Sequence, residues 1–315
     1  MRSSVLRFVL VLAVAAAVAA AQGKGKVGGG GRGGGDGGGG GGGGSPAPPD
    51  AAIALVDGGL KVMNDDGTNV TTILPVGNGE EIGSPAWSPD NERFAVAGTL
   101  AGTYGIHVVQ ADGSGAALLT PVSTQASPAV DWSPVPVPDG RDKIAYGAYG
   151  AGESMKDIWI VNPDGTGVLD LTNTPDAYEA RPTFSRDGTK LAYVRDFAEL
   201  VIADLGVVGG QVAITSEIVV YDTQGYSLVT SLQWARTQDV LVLTEFDISS
   251  GNQVMLLDVF RLPGVLVPVT AGSWASFAPD DSRLVFQRGG IFVIDLDGGS
   301  ETQIAASGYD PRWRR

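Results

Sequence analysis

The stretch PAWSPDNERFAVAG, residues 85–98, sets one aromatic in a short run, then a Pro-Asp turn, then an alternating apolar run. Near copies recur as RPTFSRDGTKLAYVR at 181–195 and FAPDDSRLVFQRG at 277–289. A period of two marks β-strands, and Pro-Asp and Asp-Gly supply the fixed φ and the tolerance of positive φ that tight turns need. Aligned on this stretch, the chain resolves into units of four strand signals. The first strand carries a large aromatic: Trp87, Trp132, Phe184, Trp234, Phe277 or Trp313. The second alternates, as in RFAVAG and KLAYVR, and the third is more apolar, as in GIHVVQ and DIWIVN. An Asp-Gly hairpin turn such as NPDGTG follows, and then a weak fourth strand such as AALLTP or VLDLTN.

Successive aromatics lie 45, 52, 50, 43 and 36 residues apart, a spacing that matches four-stranded propeller blades. The first unit is incomplete. AAIALVD, LKVMND and VTTILP read as second, third and fourth strands without a first, and YDPRWRR at 309–315 reads as a first strand without the rest. The two fragments complement each other. The expected fold is all-β: a six-bladed β-propeller of four-stranded blades, closed by the C-terminal strand joining the N-terminal blade. Closure removes the open sheet edge. Because the aromatic recurs at the same strand position in every unit, it is expected to pack between neighbouring blades rather than to stack on a sugar. Truncating one should cost about 3–5 kcal/mol.

The units PAWSPDNERFAVAG, GIHVVQADGSGAALLT and ARPTFSRDGTKLAYV resemble the TolB-type, or WD-like, β-propeller repeat. The resemblance covers about residues 51–315 and is weakest around Trp234, where WARTQD replaces the Ser-Pro-Asp-Gly turn. That family includes the periplasmic Tol-system protein, which binds a peptidoglycan-associated lipoprotein at its propeller. It also includes the non-catalytic propellers of certain serine peptidases. The resemblance is to the propeller alone, without the N-terminal α/β domain of the Tol-system protein; a glycine tether occupies that place.

Residues 1–21 read as a secretory signal peptide, with Arg2 and Arg7, an apolar run from Phe8 to Ala21 and small residues at Ala19 and Ala21. The mature chain is therefore expected in a periplasm or outside the cell. No membrane insertion is expected after signal cleavage. Residues 22–50 are so rich in glycine and proline that they have nothing to bury and read as a disordered linker. The propeller is expected over 51–315.

A net charge of −14 argues against nucleic acid as a partner, because phosphate contacts need clustered Lys and Arg. Without cysteine there is no disulfide scaffold, thiolate metal site or cysteine nucleophile. One histidine, His107, excludes multi-His metal centres, and no G-x-S-x-G elbow accompanies it. Alternation in GIHVVQ sets His107 opposite Ile106 and Val108, as a structural or surface residue. NDDGTN at 64–69 and Asp295–Gly298 have the look of calcium loops, but they lack the distant Glu such loops use and read as hairpin turns.

Propeller ligands usually meet the loops that lead into the first strands. Here those loops offer Glu80, Glu81, Gln125, Tyr178, Glu179, Arg181, Tyr226, Tyr309 and Asp310 as a binding rim. Two segments depart most from the repeat length: YGAYGAGESMKD at 146–157 and DTQGYSLVTS at 222–231. The expectation is a non-enzymatic propeller binding a protein or cell-envelope polymer through one face, with no catalytic residues and no cofactor. The alternative is a calcium-dependent hydrolase or lyase with carboxylates at the channel mouth.

Overall fold

The computed structural model describes residues 52–122, 129–259, 266–297 and 300–315. The segments expected as signal peptide and linker lie outside the described residues, as do Gln125 and Gly298. The described chain forms six four-stranded antiparallel sheets. Blade 1 joins β1 (Ile53–Val56), β2 (Gly59–Met63) and β3 (Thr71–Pro75) to β24 (Tyr309–Trp313) in the order β24-β1-β2-β3. Blade 2 is β4 (Glu81–Trp87), β5 (Arg93–Leu100), β6 (Thr103–Gln110) and β7 (Ala116–Pro121). Blade 3 is β8 (Val130–Trp132), β9 (Ile144–Tyr149), β10 (Lys156–Val161) and β11 (Leu169–Asp170). Blade 4 is β12 (Glu179–Phe184), β13 (Lys190–Arg195), β14 (Glu199–Val208) and β15 (Gln211–Asp222). Blade 5 is β16 (Leu228–Trp234), β17 (Val240–Asp247), β18 (Gly251–Asp258) and β19 (Leu266–Ala271). Blade 6 is β20 (Ser273–Phe277), β21 (Arg283–Gln287), β22 (Ile291–Asp295) and β23 (Glu301–Ala305).

The ring closes as the head and tail fragments require. β24 pairs with β1, with Ile53 opposite Trp313 and Ala54 opposite Arg312. The six inner strands touch in a cycle, β24 to β4, β8, β12, β16, β20 and back to β24. The core is correspondingly split into six clusters, one at each blade interface. Strand alternation explains the split. Leu191 and Tyr193 face blade 3, while Ala192 and Val194, their neighbours on β13, face blade 5.

Each of the six repeat aromatics is the last residue of its inner strand and is at most 3 % exposed, so these rings are interface core. In blades 2, 3 and 4 a serine follows the aromatic and sets the turn. In blade 4, Ser185 Oγ donates to Asp187 at 2.7 Å and accepts the Lys190 amide at 2.9 Å. Ser88 takes the Arg93 amide and Ser133 the Lys143 amide in the same way. In these three blades the turn after the aromatic is thus a hydrogen-bonded hairpin that starts the second strand. His107 is buried, its Nε2 3.2 Å from the Gly98 carbonyl, so it is structural and not a surface group.

Candidate functional site

The inner strands are not regular ladders. Register shifts interrupt β4 at Gly83/Ala86, β12 at Ala180/Thr183, β16 at Val229/Ser231 and β20 at Ser273/Ser276, and β24 is bulged against β1. A bulge re-aims the side chain it carries. Arg181, Trp274 and Asp310 each sit three residues before the repeat aromatic of their blade, and each has a positive φ, 60°, 51° and 50°. Such conformations are uncommon outside glycine and cost about 1–3 kcal/mol each. Blades 4, 6 and 1 therefore present these three side chains from one repeat position.

All three line a single cavity of about 300 Å³ at the mouth of the channel, with Glu81, Ile82, Gly83, Ala97, Gly98, Tyr104 and Tyr309 completing the wall. Trp274 and Tyr309 face each other at 6.2 Å between ring centroids, and the Tyr309 hydroxyl donates to the Ile82 carbonyl at 3.3 Å. Gly98 is fixed by packing: a Cβ there would stand 2.0 Å from the Glu81 carbonyl oxygen. Burial, reinforced by Glu81, pushes the Tyr104 phenol well above its usual value. Burial also lowers the Arg181 guanidinium, opposed by the charge of Asp310. Arginine stays protonated regardless. Arg181 makes no hydrogen bond to another described residue, and it lines the cavity.

Below the mouth the channel narrows to voids of about 20, 10 and 60 Å³, wide enough for single waters. Its walls carry Arg312, Arg236 and Arg315, countered by Asp131. Arg315 pairs with Asp131 at 2.7 Å and Arg312 with Asp310 at 3.5 Å. Burial lowers the Arg236 guanidinium, the nearby Arg315 charge adds to this, and the buried Arg236 Nε has no hydrogen-bond partner. An acidic protein thus has a cationic axis.

Of the residues expected at the rim, Glu81, Arg181, Tyr309 and Asp310 are brought together in the cavity. Glu80 is spent on structure, its carboxylate accepting the amides of Gly77 and Ala101 at 2.8 Å each. Tyr178 stacks on Phe197 at 4.3 Å. Glu179 is wholly buried and paired with Arg195 at 2.9 Å. Tyr226 is 84 % exposed and lines none of these cavities. Trp274 and Tyr104 were missed by sequence. The signal for Trp274 was present, since TAGSW runs into β20 and Trp274 is that strand's second residue; Tyr104 stands at the start of β6, a third strand, and not on an entry to a first strand.

A closed ring of six four-stranded antiparallel blades defines a six-bladed β-propeller. Among solved structures, the chain is similar to TolB from Acinetobacter baumannii, with a TM-score of 0.64, 18 % identity, and 85 % of this chain and 67 % of that one covered. The putative TolB from Agrobacterium tumefaciens matches at a TM-score of 0.57 and 14 % identity, covering 81 % of this chain and 88 % of that one. An oligogalacturonate lyase in complex with manganese matches at a TM-score of 0.51 and 14 % identity, covering 76 % of this chain and 71 % of that one. These likenesses establish the fold. No family model matches the sequence, and no curated protein does.

Proposed function

We propose that this chain is a secreted or periplasmic propeller that binds a protein or cell-envelope polymer through the mouth face, without chemistry of its own. The observation that carries this reading is the trio Arg181, Trp274 and Asp310, held in costly left-handed backbone at one repeat position and turned into one cavity. An uncommitted guanidinium beside Trp274 and Tyr309 suits a carboxylate on a chain whose flat or apolar parts stack on the rings. The sequence of residues 1–21, and the likeness to TolB propellers, support the envelope setting. The acidic net charge weighs against nucleic acid.

Arg181→Asn is the sharpest variant, because asparagine tolerates positive φ and removes only the charge and length. Immobilised wild-type protein should retain purified peptidoglycan fragments or an envelope protein fraction in a salt-sensitive manner. Arg181→Asn should lose at least tenfold in retention at an unchanged melting temperature. Equal retention by the two proteins would refute the reading.

Glu81 and Asp310 share the cavity, and this favours a second reading, a calcium-dependent hydrolase or lyase. It requires turnover of lactones or uronate oligomers on adding metal, abolished in Glu81→Gln. The binding reading expects no turnover.

A further inference from the structure

Blade 3 gathers a separate set of carboxylates on the same face, away from the axis. One carboxylate oxygen each from Glu153, Asp157 and Asp170 lie within 4.8 Å of one another. Glu153 comes from the long connection between β9 and β10, Asp157 from the start of β10, and Asp170 is brought alongside by the pairing of Trp159 with Asp170. Each group is oriented by one of its oxygens. Glu153 Oε2 accepts the Gly150 amide at 3.0 Å, and Asp170 Oδ1 accepts the Asn173 amide at 3.0 Å. Asp157 Oδ1 accepts the Thr174 amide at 2.7 Å and the hydroxyls of Thr172 and Thr174 at 3.2 Å each. The second oxygens make no hydrogen bond to any described residue.

A buried fourth carboxylate backs this set. Glu179, 0 % exposed, gives Oε1 to Arg195, and its Oε2 has no hydrogen-bond partner. The Thr172 and Thr174 hydroxyls that serve Asp157 also lie against Glu179, and the Glu179 charge reaches Asp170. Neither nearby cation pairs with Glu153, Asp157 or Asp170. The Lys156 ammonium lies over the rings of Tyr149 and Tyr178 at 5.2 and 5.6 Å, and Arg195 is divided between Glu179 and Glu217. Several like charges this close, with an orphaned buried oxygen behind them, are a poor arrangement for an empty protein and a good one for a hard divalent ion.

We infer that Glu153, Asp157 and Asp170, backed by Glu179, bind a divalent cation of the calcium class that ties the β9–β10 connection of blade 3 to the start of blade 4. None of these four carboxylates lines the cavity that holds Glu81 and Asp310, so the site is independent of either reading of the mouth.

The test uses the full chain, stripped with chelator and titrated with CaCl2. Equilibrium dialysis should count one calcium per chain in the wild type and in Glu81→Gln, and none in Asp170→Asn or Glu153→Gln. Glu153 is exposed on its loop, so that variant leaves the fold intact. Calcium should raise the melting temperature of the wild type by several degrees and leave Glu153→Gln unmoved. Chelated Asp170→Asn should melt no lower than chelated wild type, because it removes one of the repelling charges. No calcium in the wild type, undiminished binding in Glu153→Gln, or binding lost in Glu81→Gln instead would overturn the assignment.

Discussion

Arg181, Trp274 and Asp310 are large or charged residues in a backbone region that favours glycine, and each stands where a bulge turns its side chain to the axis. Strain of this kind persists only where the surrounding sheet over-determines it. His107 shows the opposite regime, a polar group absorbed into the core. Burial lowers its imidazole below the usual 6.5, opposed by hydrogen bonds to the Gly98 and Thr103 backbone. Below about pH 6.5 the unfolded chain therefore binds a proton that the folded chain resists, and stability from this residue is lost as the pH falls. Since it is the sole histidine, the effect can be isolated. The stability advantage of wild type over His107→Gln, from urea unfolding, should shrink between pH 7.5 and pH 5.5. A constant or growing advantage would mean that His107 is not buried neutral.

At the scale of the strand, the residue before each repeat aromatic proves as telling as the aromatic itself. Asp131 accepts the Phe184 amide at 2.8 Å, and Thr183 accepts the Trp234 amide at 3.2 Å. Gln233 accepts the Phe277 amide at 2.9 Å, and Ser276 accepts the Trp313 amide at 3.1 Å. Each of these blades thus holds the inner strand of the next through one side-chain acceptor. The belt lapses where Ala86 and Arg312 occupy the position, although the Arg312 carbonyl there accepts the Trp87 indole at 3.3 Å. Gln233→Leu keeps the bulk but orphans the buried Phe277 amide. It should cost about 1–3 kcal/mol in chemical denaturation; a loss below a few tenths would show that the belt is ornamental.

The aromatic was legible because it recurs in every blade, and the turn after it because a serine and an aspartate repeat there in blades 2 and 4. The belt was not, because its acceptor changes chemistry from Asp to Thr to Gln to Ser and only the shared neighbour reveals it. The fourth strands read weakly because they are edges: β11 is two residues long, and β7 is largely exposed. At the mouth, Arg181, Tyr309 and Asp310 could be placed from the loops they follow. The set Glu153, Asp157 and Asp170 could not, since strand pairing unites residues that sequence keeps apart; only the unusual length of 146–157 hinted at it.

At the scale of the molecule, every feature depends on ring closure. β24 completes blade 1, Trp313 fills the interface between blades 6 and 1, and Tyr309 and Asp310 complete the mouth. The tail also fastens the axis from within: Arg315 exchanges hydrogen bonds with Asn91 and pairs with Asp131, so one segment touches blades 1, 2 and 3. Losing it would expose the edge of β1 to water and to other chains, and losing the Trp313 ring alone removes about 3–5 kcal/mol. The direct test is the thermal melt of a protein ending at Gly308 beside the full chain. Closure predicts a fall on the order of 10 °C for the shortened protein; melting within a degree of the full chain would contradict it.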